Sequence, residues 1–337
     1  VIPALAVARE LRSRGHRVVF IGTERGVESR LVRQAGFPLE LIRIGGLKGI
    51  SGLGKLSSLA QLIVSTMQQL RTKRPAAVFS MGGYVAGPPV IAALLRKIPV
   101  VAMEPNAVPG IMNRYTARWV RRALITFPET AKYFPANRTE ITGLPVREEF
   151  FHLPEPPTDG KFTILITGGS QGSRTLNEAA RASWPLFRNA GLPVRLLHQT
   201  GAGQAGTLAE DFASSGLEGE VKPFFEDMPA AFAQAHLVIC RAGAGSVSEL
   251  AAAGKASVLI PFPFAADNHQ LKNAESLAHA GASFLVLDKD WTGAKFFQIV
   301  SGLISDQTVL KSMSQAARSL SKPGAAVRAA DILENIH

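Results

Sequence analysis

In Leu237-Val238-Ile239-Cys240-Arg241-Ala242-Gly243-Ala244-Gly245-Ser246-Val247-Ser248-Glu249-Leu250, an apolar run gives way to small residues and then to a helix-forming pattern. Leu237–Cys240 reads as a buried strand, and Glu249-Leu250-Ala251-Ala252-Ala253, closed by Gly254, reads as helix. A strand, a small-residue turn and a helix start gather backbone N–H groups at the positive end of a helix dipole, which suits a phosphate. A second such unit follows at Pro261-Phe262-Pro263-Phe264-Ala265-Ala266-Asp267-Asn268-His269-Gln270, again behind an apolar strand. Polar-ended turns in adjacent strand–helix units suggest a nucleotide-sugar pocket.

The alternation extends both ways. Strands are predicted at Val18–Gly22, Ala77–Ser80, Val100–Ala102, Ala123–Thr126 and Glu140–Thr142, with helices near Gly26–Ala35, Lys55–Arg71, Pro88–Leu95 and Pro109–Trp119. Leu153-Pro154-Glu155-Pro156-Pro157-Thr158-Asp159-Gly160 breaks the pattern and reads as a linker. The pattern then restarts with strands at Phe162–Thr167, Val194–His198, Val221–Phe225, Leu237–Cys240, Ala256–Pro261 and Phe284–Leu287. Helices are expected at Arg174–Asn189, from Gln298 to Ser319, and over Ala325–Ile336. The expected fold class is α/β: two Rossmann-like doubly wound parallel-sheet domains facing a cleft. The first spans 1–153 plus 325–337, the linker 154–160 and the second domain 161–324. The chain opens on a helical pattern at Val1, so an upstream strand and turn are expected to be missing.

Hydrophobic residues make up 46% and charged residues 19%, which excludes a disordered chain. Lys and Arg number 37 against 26 Asp and Glu, a net charge of +11 that favours anionic partners. No apolar run reaches the roughly 18 residues of a membrane span. The single cysteine, Cys240, excludes an intrachain disulfide and lies in an apolar run, as a buried strand residue would.

Each motif has a structural reading beside the functional one. Gly168-Gly169-Ser170-Gln171-Gly172-Ser173 follows a strand and lacks the Gly-Lys-[Ser/Thr] ending of a Walker loop; it is a tight turn or a ligand cradle. Met81-Gly82-Gly83-Tyr84 is a similar turn. Ser246-Val247-Ser248-Glu249 has the spacing of a capping box, which competes with Glu249 as an acceptor for ribose hydroxyls. The glycine pattern there lacks the third glycine of a nicotinamide fingerprint. Asp267, His269, Gln270 and Asn273 crowd one strand end, as a sugar site would, although an N-cap accounts for one of them. No metal is assigned. Glu104 and Asn106 are candidate cleft groups or turn residues, and Arg147 a diphosphate partner or a surface charge. Lys55–Arg71 is a core-facing helix or one that dips into a bilayer beside Arg114, Arg118, Trp119, Arg121 and Arg122. No nucleic-acid module accompanies these basic residues.

In this order, Gly82-Gly83-Tyr84-Val85, Glu104-Pro105-Asn106, Gly168-Gly169-Ser170-Gln171-Gly172, His198-Gln199-Thr200-Gly201, Arg241 through Glu249, and Asp267-Asn268-His269-Gln270 with Asn273-Ala274 resemble the MurG family of bacterial glycosyltransferases. The likeness covers essentially the whole chain. It implies a GT-B fold and transfer of N-acetylglucosamine from UDP-N-acetylglucosamine (UDP-GlcNAc) to lipid I, giving lipid II for peptidoglycan. It implies an inverting reaction without cofactor or metal, at the cytoplasmic face of the cell membrane. By position it places UDP-GlcNAc against Asn106, Arg147, Ser170, Phe225 (a backbone contact to uracil), Ala244, Gly245, Ser246, Val247, Ser248, Glu249 (ribose) and Gln270 (sugar hydroxyls). The family's opening strand and Gly-Gly-Thr-Gly-Gly-His loop, whose histidine is a catalytic candidate, have no counterpart before Val1. Leu144 stands where the family often has asparagine. No general base is assigned; Glu104 is the cleft group considered. A GT-B enzyme with another acceptor, a non-catalytic sugar-nucleotide-binding subunit and a nicotinamide oxidoreductase are the competing readings.

Overall fold

A computed structural model describes residues 1–24, 27–42 and 52–336, with the backbone alone for 27–28 and 52–60. The chain divides into two compact units: Val1–Val146 with Gly324–His337, and Arg147–Pro323.

The first unit carries α1 (Ile2–Ser13), β1 (Phe20–Gly22), α2 (Val27–Gln34), β2 (Leu39–Leu41), α3 (Gly52–Lys73), β3 (Val78–Ser80), α4 (Gly87–Leu95), β4 (Val100–Glu104), α5 (Ile111–Thr116), β5 (Arg122–Ile125) and β6 (Thr139–Ile141). Strands β3-β4-β5-β6 form a parallel sheet, and β1 and β2 pair in parallel. β4 is buried at every residue, as a parallel strand covered on both faces must be. β2 lies where the sequence suggests no strand, because three residues are too few to show alternation. Gly26, expected at the start of a helix, lies outside the described residues, as do the side chains of Leu56 and Leu59. Farther along α3, Ile63, Met67 and Leu70 pack on the core, which is the core-facing alternative for those positions.

The second unit carries β7 (Phe162–Thr167), α6 (Arg174–Asn189), β8 (Val194–Gln199), α7 (Ala205–Ala213), β9 (Glu218–Lys222), α8 (Met228–Gln234), β10 (Leu237–Cys240), α9 (Ala244–Ala253), β11 (Ser257–Leu259), α10 (His269–His279), β12 (Ser283–Leu285), α11 (Gly293–Ser305) and α12 (Gln307–Ser319). The parallel sheet has the order β12-β11-β10-β7-β8-β9. Its first strand is therefore central, and the winding reverses between β7 and β10. Loops after those two strands flank the crevice where open α/β sheets bind ligands. Apolar side chains of the strands, among them Ile164, Leu196 and Ile239, fill one core with Trp184, Phe187 and Phe296. The strand expected at Val221–Phe225 sits instead at Glu218–Lys222, which leaves Phe225 in a loop. As an edge strand, β9 exposes charges and shows no apolar run. The expected helix from Gln298 to Ser319 is two helices, divided where the Asp306 carboxylate accepts from the Thr308 amide at 3.0 Å.

After Pro323 the chain returns to the first unit as α13 (Ala325–Glu334), which packs on α1. There Arg14 meets Asp331 and Glu334, each at 2.7 Å, and His16 meets Glu334 at 2.7 Å.

Candidate active site

Helix α9 starts directly behind β10, with Gly243 as its extended N-cap. Its first backbone bond runs from the Val247 amide to the Gly243 carbonyl at 3.0 Å. The amides of Ala244, Gly245 and Ser246 therefore precede the helical ladder and point out of its positive end. A Cβ on Gly243 or Gly245 would meet no atom of the described residues within 4 Å, so both positions open onto free space. Because Gly243 is the cap, Ser246 and Glu249 lie inside the helix and do not form the capping box that their spacing suggested. Among the described residues the Glu249 carboxyl has no hydrogen-bond partner. Burial pushes its pKa up to about 7, opposed by the charge of Arg147. The Ser248 hydroxyl is also buried without a partner. Arg147 lies over the Phe150 ring at 5.0 Å, in the segment packed against α9.

The β7 loop is built on glycine. A Cβ at Gly168 would strike the backbone of Gly172 and Ser173, and one at Gly172 (φ +75°) would strike the Thr200 carbonyl. A Cβ at Gly201 (φ +77°) would likewise strike the Gln171 carbonyl. Two loops thus touch backbone to backbone, which only glycine allows. Ser170 is exposed at the tip. Ser173 caps α6 by accepting from the Leu176 amide at 3.4 Å.

Arg241 ties the strand ends together. Its guanidinium donates to the carbonyls of Ile260 (3.1 Å) and Pro261 (3.3 Å), to the Ser173 hydroxyl (2.7 Å) and to Asp288. Asp288 also accepts from Thr175 at 3.1 Å and is thus a structural carboxylate. The residues after β11 hold one another. Gln270 Oε1 accepts from the Phe262 amide at 3.0 Å, and its NH2 group has no partner among the described residues. Asp267 and Asn268 are both left-handed (φ 49° and 52°), and Asn268, without a side-chain cap bond, precedes α10. His269 bonds the Ala266 carbonyl at 2.7 Å, and Asn273 donates to the Ala242 carbonyl at 3.1 Å.

Buried groups elsewhere have structural roles. Cys240 has its thiol pushed up to about 12 by burial. His198 is pushed down to about 4 for the same reason, with Nε2 on Asn177 Oδ1 at 2.9 Å. In the first unit, Glu104 is buried and accepts from the Asn106 amide (3.0 Å) and side chain (3.2 Å), the Gly110 amide (3.1 Å) and Asn113 (2.9 Å). Burial raises its pKa against those bonds. With both oxygens engaged, Glu104 organises a turn, and Asn106 is part of that turn. Of the two readings of Glu104, these bonds support the turn residue. Of the residues expected to meet UDP-GlcNAc, Asn106 belongs to the first unit. Arg147, Ser170, Phe225, Ala244–Glu249 and Gln270 belong to the second. Sequence reasoning gave Arg241 and Gln199 no role. A charged and an amide side chain directly beside apolar strands was the available signal, since such groups must be bonded when buried.

Two Rossmann-like units, the second with a helix start and an unbonded carboxyl beside its switch point, are the architecture of a GT-B glycosyltransferase. The glycosyltransferase family 28 N-terminal domain matches residues 1–125 and the family 28 C-terminal domain residues 163–335. The chain belongs to glycosyltransferase family 28. It is 62% identical over 337 residues to a UDP-N-acetylglucosamine--N-acetylmuramyl-(pentapeptide) pyrophosphoryl-undecaprenol N-acetylglucosamine transferase of Solibacter usitatus, covering 100% of this chain and 92% of that one. The crystal structure of Acinetobacter baumannii MurG superposes with a TM-score of 0.85 at 34% identity, over 98% of this chain and 95% of that one. The calicheamicin glycosyltransferase CalG4 shares the fold, with a TM-score of 0.71 at 18% identity over 100% and 94% of the two chains.

Proposed function

We propose that this protein transfers N-acetylglucosamine from UDP-GlcNAc to lipid I, undecaprenyl-diphospho-N-acetylmuramoyl-pentapeptide, yielding lipid II. Curated relatives of this name at high identity support the reaction. The observation that carries the donor site is the start of α9 beside a half-buried Glu249 that bonds no group among the described residues. Glu249 accepts from the ribose hydroxyls, and the Phe225 backbone contacts uracil. The amides of Ala244, Gly245 and Ser246, with Ser170 and Arg147, face the diphosphate, and Gln270 holds the sugar hydroxyls. The acceptor hydroxyl attacks the anomeric carbon as its bond to the β-phosphate oxygen breaks, with inversion. Charge gathers on the departing UDP, where fixed amides and a helix end stabilise it without reorganising.

The first unit takes the lipid-linked acceptor at the cytoplasmic membrane face. Tyr115 (73% exposed) and Trp119 (53%) stand among Arg114, Arg118, Arg121 and Arg122, and Arg118 lies over the Trp119 ring at 4.0 Å. Exposed aromatics among cations suit a headgroup layer. Among the described residues no helix is long and apolar enough to cross a membrane, and the reading is of peripheral attachment.

Calorimetry with UDP-GlcNAc, against UDP-glucose and NAD, tests the donor site. Selective binding is expected, weakened about 10- to 100-fold by Glu249→Ala, the cost of a charged hydrogen bond. Equal affinity for NAD, or a Glu249→Ala variant that binds as the parent does, would exclude this site.

A further inference from the structure

Gln199 is the last residue of β8 and is buried, yet its carboxamide is fully engaged. Nε2 donates to Thr167 Oγ1 at 3.1 Å and to the Gly169 carbonyl at 3.1 Å. Oε1 accepts from the Phe225 amide at 3.0 Å. The orientation of this amide is unambiguous. A carbonyl can only accept and a backbone N–H can only donate, so a flipped Gln199 would break the contacts at both ends. The side chain spans from the glycine loop after β7 to the segment after β9.

Its neighbours reinforce the same link. The Thr200 amide donates to the Lys222 carbonyl at 3.0 Å, and the Gly201 amide to the Pro223 carbonyl at 3.1 Å. On the other side, Gly172 and Gly201 allow the Gly168–Ser173 loop to rest directly on Thr200 and Gly201. Gln199-Thr200-Gly201 is therefore a hub on which both loops sit. One loop carries Ser170 and the other Phe225, which the donor reading gives to the diphosphate and the uracil. Covalent connectivity bounds the distance between phosphate and base in a nucleotide, so the two loops must be held at a separation within that range.

We propose that Gln199 is a positioning residue for the donor nucleotide: through its carboxamide it registers the Phe225 backbone against the Gly168–Ser173 loop and so secures selection of uracil. The inference rests on the donor-site reading above. With Phe225 N–H held by Gln199, the Phe225 carbonyl accepts no hydrogen bond among the described residues and is the edge left to the base. A carbonyl accepts from the N3–H of uracil and meets only a lone pair at N3 of cytosine. Gln199 touches neither the reacting atoms nor, on this geometry, the nucleotide itself.

The test measures dissociation constants of UDP and CDP for the full chain and for Gln199→Met, Gln199→Ala and Gln199→Glu, with thermal unfolding as the check on folding. Methionine fills the space without polar atoms. Glutamate keeps an acceptor for the Phe225 amide but cannot donate to Thr167 or Gly169. In Gln199→Met and Gln199→Ala the preference for UDP over CDP is expected to fall about tenfold, because an unheld N–H now accommodates cytosine. In Gln199→Glu that preference is expected to persist while affinity for both nucleotides drops. A role in stability alone would lower the unfolding temperature and leave the UDP-to-CDP ratio unchanged. A folded Met or Ala variant with the parental ratio overturns the proposal, as does a Glu variant that loses selectivity as they do. If neither Met nor Ala folds, the Glu variant decides. Failure of the unaltered chain to bind UDP overturns the donor-site reading, and the proposal with it.

Discussion

At the scale of single residues, Glu249 is the group whose environment and chemistry are most closely joined. A carboxyl that keeps its proton up to about 7 in the folded chain and loses it at about 4.3 when unfolded ties stability to pH. The folded state binds the extra proton between those values. Its contribution is fully present below about pH 4 and is lost as pH rises through about 7. Glu249→Gln should therefore raise the unfolding temperature of the nucleotide-free protein at pH 8 and leave it little changed at pH 4. On the proposed donor reading the ligand reverses the preference, because a ribose hydroxyl donates more strongly to a carboxylate than to a carboxylic acid. UDP affinity should rise between about pH 6 and pH 8 in the parent and stay flat in Glu249→Gln; titration calorimetry across that range reads both.

At the scale of elements, the glycines of the two switch-point loops serve different ends. Gly172 is left-handed and meets the Thr200 carbonyl, so its side is closed by protein. Gly245 stands in the first turn of α9 with nothing beside it. Gly172→Ala is expected to cost about 2 kcal/mol or more of stability, seen as a lower denaturation midpoint, since backbone must shift to admit the methyl group. Gly245→Ala is expected to keep or slightly raise stability, because alanine is the better helix former, while weakening UDP binding where a phosphate needs backbone contact. Similar losses of stability in both variants would show that Gly245 is a packing glycine after all. Arg241 belongs to this scale too. One side chain joins the loops after β7, β10 and β11 and the turn at Asp288, so it fixes the frame in which the candidate donor residues stand.

At the scale of the whole molecule, a net charge of +11 and exposed aromatics on the first unit make the membrane reading measurable. Sedimentation with vesicles containing anionic phosphatidylglycerol should retain the protein at low salt. Binding should fall as ionic strength rises from about 0.05 M to about 0.5 M, as the Debye length shrinks. Trp119→Ser should weaken binding even at low salt, because it removes apolar contact and no charge. Equal binding to neutral and anionic vesicles, or none at low salt, would remove the charge-driven attachment from the account.

The sequence by itself determined the two strand–helix series, the strands Phe162–Thr167 and Leu237–Cys240 to the residue, the helix Arg174–Asn189 and the family. These are legible because a strand buried on both faces must be apolar throughout, and because a strand–glycine–helix turn needs its small residues in a row. The edge strand Glu218–Lys222 was misplaced because its charged residues form no apolar run, and Leu39–Leu41 was missed because three residues are too few to show alternation. Only the tertiary structure decided what polar side chains do. Local spacing left Glu249 between a capping box with Ser246 and a ribose acceptor, and Glu104 between a cleft group and a turn residue. The folded chain caps α9 at Gly243, gives Glu249 no bond among the described residues and surrounds Glu104 with four donors. A polar group's role depends on the partners that meet it in space, and for Gln199, Arg241 and Asp288 those partners are distant in sequence.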